Sequence, residues 1–240
     1  MLDPLHQFVI SPLLKINVFG VDLSFTNSAL AILIVLGVIG TVFIVCLQKK
    51  RLVPNRSQAF VELLYMLVAN LIKANVGECG LRYFPFVFSI FLLVLFGNLI
   101  GLIPYVFTFT SHIIATFTVA MLVFIFITIL GIVLHGARFF NLFAPRGVPK
   151  YLLPLLIPVE VVSYLTRPIS LSVRLFANMM AGHTMMKVFA GFVAMIGVWG
   201  VAPVMVNVVL TGFEVVVAVL QAYIFTILTC VYLNDAVHLH

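Results

Sequence analysis

The 240-residue chain is predicted to be an all-α, polytopic membrane protein, and three observations predict it. Hydrophobic residues make up 64% of the chain and charged residues 8%, with a mean hydropathy of +1.27. A soluble domain carries about a quarter charged residues, and a fold of this size has no interior able to hide so much apolar surface. Uncharged runs are long enough to cross the roughly 30 Å of a bilayer's hydrocarbon. Two further segments exceed that length and still hold charges. The expected layout is one membrane domain with five crossings, one amphipathic surface helix and a long, steeply tilted hairpin at the end.

The elements follow in order. Residues 25–47 form a charge-free run of 23 residues, enough for one span. Lys49, Lys50, Arg51 and Arg56 follow at once. Residues 55–77 mix apolar positions at helical spacing with Arg56, Glu62 and Lys73, between Pro54 and a closing Gly77, which predicts an amphipathic helix lying on the membrane surface. Residues 83–134 run for 52 positions without Asp, Glu, Lys or Arg, so they hold two spans with a break from about Pro104 to Ser111. A polar connection from Arg138 to Lys150 comes next. Residues 151–190 would be about 60 Å long as a helix and residues 203–233 about 46 Å. Helices so long must tilt, curve or leave the lipid, with Pro154, Pro158 and Pro168 as bend points and Gly191 to Gly200 as the turn between them.

Charge sets the expected orientation. With the N-terminus outside, nine Lys or Arg between Lys49 and Lys150 lie inside and Lys15 alone lies outside. Five crossings then leave the C-terminus inside. The net charge of +6 is scattered along the chain or flanks apolar runs, so nucleic acid is not an expected partner. Cys46, Cys79 and Cys230 are far apart and form no CxxC, which points to inert buried thiols rather than a metal site or disulfide framework. No cleavable signal peptide is evident in the first twenty residues, where Asp3, Pro4, Pro12 and Lys15 interrupt any apolar stretch.

The chemistry concentrates between Glu160 and His183. An arginine at mid-bilayer costs about 2.5–3.5 kcal/mol and cannot shed its charge, so Arg174 needs a partner or a wet wall. A static pair with Glu160 or a lipid phosphate is the bland reading. Glu160, Arg167 and Arg174 recur every seven residues and share a helical face, with Ser170 and Asn178 one turn to either side of Arg174. His183, nine residues on, points the opposite way. Glu214 and Gln221 share a face on the last helix, and a single antiparallel register sets Arg174 opposite Gln221 and His183 opposite Glu214. Such a His–Glu pair either passes protons through a wet crevice or only locks two helices.

Ser170-Leu-Ser-Val-Arg174-Leu-Phe-Ala-Asn178-Met-Met-Ala-Gly-His183, together with Leu220-Gln221-Ala-Tyr-Ile-Phe-Thr-Ile-Leu-Thr, resembles subunit a of the F-type ATP synthase. The likeness extends to Asn98-Leu-Ile-Gly-Leu-Ile-Pro104, to Tyr83-Phe-Pro-Phe and to the N-terminal Asp-Pro-Leu-His-Gln-Phe, and so covers essentially the whole chain. The resemblance implies a stator in an energy-coupling membrane, bacterial or mitochondrial, which is not catalytic by itself. It implies as partners a rotating c-ring of small hairpin subunits, the peripheral-stalk subunit b, other Fo subunits and membrane lipids, with no cofactor or metal. Arg174 matches the essential ring-facing arginine, Gln221 the glutamine beside it, and Asn178 belongs to the same motif. His183 and Glu214 match the pair of the outer half-channel, in the histidine-first form. Glu160 and Ser170 match positions near the inner one. Many bacterial members carry an acid where this chain has Gly101, so no proton-handling side chain stands there.

Other positions carry two readings each. Asn98 either bonds between helices or lines the outer channel, and His112 is either an interfacial residue or a channel one. Lys187 either snorkels or tunes the channel. Arg167 offsets Glu160 or reaches the inner interface, Gly97-xxx-Gly101 is a close-packing motif, Tyr232 and Trp199 are interfacial anchors, and Asp235 belongs to a solvated tail. The alternative class is a secondary transporter, which predicts paired repeats and broken helices in matching halves; neither is visible.

Overall fold

The computed structural model describes residues 12–14, 17–18, 21–22, 24–48, 54–103, 107–136, 139, 151, 153–196 and 200–238. Lys15, the Lys49–Arg51 cluster, Pro104, the connection carrying Arg138, Arg146 and Lys150, and Trp199 lie outside the described residues. The architecture is helical: α1 Asn27–Leu47, α2 Arg56–Asn75, α3 Phe84–Gly101, α4 Ile113–His135, α5 Leu153–Ile196 and α6 Val201–Val237. All six helices are long and apolar enough to cross a membrane, with α2 among the least apolar at a mean hydropathy of 1.2. Large apolar side chains such as Ile44, Val133, Leu155 and Val209 stand exposed on the outer faces, as expected where lipid is the solvent.

Four short strands precede α1, which composition gave no reason to expect. β1 Pro12–Leu14 pairs antiparallel with β4 Phe25–Thr26, and β2 Asn17–Val18 with β3 Val21–Asp22. The first helix therefore starts at Asn27 rather than residue 25, where the Thr26 hydroxyl accepts from the Ala29 amide at 3.4 Å as an N-cap.

α6 is the central element. It packs along α3 and α5 and also meets α4 and α2, while α1 leans on α3. The main core joins Val68 and Ile72 of α2, Val94 of α3, Val123 of α4, Leu175 of α5, and Phe225 and Leu233 of α6. α2 buries Gln58, Val61, Leu64, Val68 and Ile72, one face at helical spacing. Gly77 ends its turn at φ 86°, a conformation that favours glycine. The expected break between α3 and α4 is present, and its described residues include a 3₁₀ turn, Phe109–Ser111.

Three expectations need correction. Gly191 does not end α5, which runs on to Ile196; a lone helical glycine costs only about 1 kcal/mol. Asp235 is no solvated tail. It sits in the last turns of α6, and its carboxylate accepts a 2.8 Å hydrogen bond from Arg167. Finally, Cys230 is buried but Cys46 is only half-buried, and Cys79 is exposed in the 3₁₀ turn Glu78–Tyr83, outside the packed helices.

Candidate functional site

The α5–α6 hairpin carries most of the ionisable groups within the long helices. Arg174 is exposed on α5, and Glu160 is half-buried two heptads earlier. Among the described residues neither makes an ion pair, so the static Arg174–Glu160 pair is absent. Arg167 turns instead toward α6. Its Nη1 lies 2.8 Å from Asp235 Oδ2, with the guanidinium 5.2 Å over the Tyr164 ring and 4.9 Å over that of Tyr232. The Tyr164 hydroxyl is 2.7 Å from that of Thr128, and His135 Nε2 is 3.2 Å from the Val237 carbonyl, so α4, α5 and α6 are tied at this end. Tyr232 thus backs a cation rather than standing as a free interfacial anchor.

A cavity of about 330 Å³ opens between α5 and α6 and is lined in part by Asn178, Gly182, Glu214 and Gln221. Glu214 is 8% exposed, and its Oε2 is buried with no hydrogen-bond partner among the described residues. An orphaned carboxyl oxygen in a membrane helix is costly and marks a functional group more than a structural one. Where the sequence sets Glu214 opposite His183, the structure sets it against Gly182. A Cβ at that glycine would come within 2.7 Å of the Glu214 Cδ, so the close approach requires the missing side chain. Gln221, one heptad on, is also buried. Ser170 is exposed one turn before Arg174.

His183 faces the other way, toward the α3–α4 connection. It is 5% exposed, and its Nε2 lies 3.4 Å from Thr108 Oγ1. Asn98 is fully buried on α3; its Nδ2 donates to the Ala218 carbonyl of α6 at 3.4 Å and its Oδ1 has no partner among the described residues. Ala218 lies one turn from both Glu214 and Gln221, so Asn98 ties α3 to the middle of that polar stripe. The Gly97-xxx-Gly101 pair packs closely against the connection that follows α3. Side chains there would meet the Phe109 ring and Thr108, which the chain folds back over α3. His112 stacks on Phe107 at 4.9 Å and lines a separate cavity of about 350 Å³ with Thr26, Ser28 and Thr118. Its Nε2 is buried without a partner among the described residues.

Several polar residues escaped the sequence reading. Thr108, Thr110 and Ser111 are all buried between α3 and α4, and Thr110 Oγ1 has no partner. Hydroxyls in an apolar run look like ordinary helix filler. Asn207, whose Oδ1 is buried and unpartnered, did leave a signal, since Asn207, Glu214 and Gln221 are spaced by sevens.

Comparison with known proteins adds the family. Residues 29–234 match the family model described as ATP synthase A chain. A protein of Rhodospirillum rubrum named ATP synthase subunit a is 51% identical over 241 residues, covering 100% of both chains. Its namesake from Parvibaculum lavamentivorans is 50% identical over 243 residues, covering 98% of this chain and 94% of its own. That from Chelativorans sp. is 51% identical over 243 residues, covering 98% of each.

Proposed function

Because the chain belongs to the ATP synthase A chain family, we propose that it is the proton-translocating stator subunit of an F-type ATP synthase, with Arg174 as its ring-facing charge. The observation that carries the reading is Arg174 itself, exposed on α5 without an ion pair among the described residues, beside a cavity that holds a buried, half-orphaned Glu214. A cation that cannot deprotonate is retained at such a place when its partner arrives from outside the chain.

In this reading the partner is the membrane carboxyl of each small hairpin subunit in the c-ring. A carboxylate passing Arg174 stays ionised because the fixed positive charge offsets its desolvation. Facing lipid it must carry a proton, since an ionised carboxylate there is prohibitively costly. Protons reach the ring by an outer half-channel through His112, Asn98, His183 and Glu214, and leave by an inner one near Glu160 and Ser170. The two are offset, so passage requires rotation, and Arg174 with Gln221 and Asn178 closes the direct route. Each charge moved down 100 mV supplies about 2.3 kcal/mol to that rotation. The chain performs no bond chemistry of its own.

The same reading places α2 on the membrane surface. Arg56, Glu62, Lys73 and Asn75 punctuate it, Gln58 donates to Glu62 at 2.8 Å, and Lys73 pairs with Glu78 at 3.1 Å. The other five helices cross, with the N-terminus outside and the C-terminus inside, in the membrane that couples ion flow to ATP. Subunit b and other Fo subunits complete the assembly. Purification through a tag on this chain tests the assignment: a ring of small, carboxyl-bearing hairpin subunits is expected to come with it, and a preparation that holds ATPase activity without that ring overturns it.

A further inference from the structure

The α3–α4 connection brings a hydroxyl to the ring of His183. Thr108 is 2% exposed, its Oγ1 donates to the Gly101 carbonyl at 2.9 Å, and the same oxygen lies 3.4 Å from His183 Nε2. A threonine hydroxyl owns one proton. With that proton committed to Gly101, the oxygen can only accept from the imidazole, so Nε2 carries hydrogen. Which imidazole nitrogen is protonated is set by the bond the ring makes, and here the Thr108 oxygen asks for N–H at Nε2.

We propose that Thr108, seated against the bare Gly101, is a positioning residue that holds His183 in its Nε2–H tautomer and leaves Nδ1 as the nitrogen that takes and releases the transported proton. The inference rests on the reading of His183 as a proton-path residue. Gly101 is part of the device, because a Cβ there would collide with the Thr108 Cγ2 methyl and fall 3.0 Å from its Oγ1, forcing the whole Thr108 side chain, hydroxyl included, away. Where a side chain is absent, a backbone carbonyl and a neighbouring hydroxyl do the orienting. Among the described residues, the charged groups near His183 include Lys187, one turn further along α5, and Glu214 of α6, which packs on Gly182. Both are unchanged in the variants below.

The test uses the intact complex in vesicles, labelled with ¹⁵N-histidine, with the His183 signals identified by their loss in His183→Gln. At alkaline pH the wild type and Thr108→Ser are expected to show the Nε2–H tautomer. Thr108→Val, equal in shape but without the hydroxyl, is expected to lose that preference and to pump protons about fivefold more slowly, the scale of one neutral hydrogen bond. Gly101→Ala should reproduce the Thr108→Val result. A wild-type His183 protonated at Nδ1, or a Thr108→Val complex with unchanged tautomer and rate, overturns the proposal. The underlying reading fails differently: full pumping by His183→Gln would take His183 out of the path while leaving the tautomer result intact.

Discussion

Removing either member of the Arg167–Asp235 pair should open the end of α6. The pair is 2.8 Å apart with side chains 20% and 29% exposed, between a surface ion pair and a buried one. Exposed pairs contribute about 0.2–1 kcal/mol, and breaking a buried pair costs about 3–5 kcal/mol. About 2 kcal/mol is therefore expected for Asp235→Asn. Arg167→Ala also forfeits contacts over Tyr164 and Tyr232, at about 0.5–1 kcal/mol each, for a total of about 3 kcal/mol. Cys230 supplies the assay. It lies five residues before Asp235 with no exposed surface, so alkylation by a membrane-permeant maleimide reports opening, while exposed Cys79 serves as an internal control. In the assembled complex, Cys230 should react about 30-fold faster in Asp235→Asn and about 100-fold faster in Arg167→Ala, at 1.4 kcal/mol per tenfold. The double variant should fall short of the product of the two, because the shared bond is lost once. Rates within twofold of wild type in both single variants, or strict multiplicativity, would refute the reasoning.

Two further outcomes concern Glu214. Gly182→Ala places a carbon within 2.7 Å of the Glu214 Cδ, so the carboxyl must move; ATP-driven proton pumping should fall at least tenfold with ATP hydrolysis retained, and unchanged pumping would sink the assigned role of that contact. Exchanging the pair, His183→Glu with Glu214→His, should pump better than either single change, measured by acidification of inverted vesicles. A double variant worse than both would show that the two side chains do not act together.

How much of this was legible in the sequence varies by element. The spans α1, α3 and α4 follow from the absence of charge alone, since hydrocarbon tolerates nothing else there. The ends of α5 and α6 did not follow: Gly191 is carried through by its neighbours, and Asp235 is helical because Arg167 of another helix holds it. Spacing by sevens puts Arg167 on one face with Glu160, a neighbour on its own helix, to offset that carboxylate or to reach the inner interface. Its actual partner lies 68 residues away, and no local pattern encodes such a contact. Periodicity did place Glu214 and Gln221 on one face, and both line one cavity with Asn178. Thr108 stayed invisible because its role depends on a fold-back against Gly101, which only the packed α3–α4 connection reveals.

The central claim is that Arg174 forces protons to travel with the ring. Replacing it by alanine and measuring ATP-driven proton uptake into inverted vesicles tests that claim most directly. The expected result is loss of pumping while ATP hydrolysis by the soluble head persists. Near-normal pumping by Arg174→Ala would contradict the mechanism.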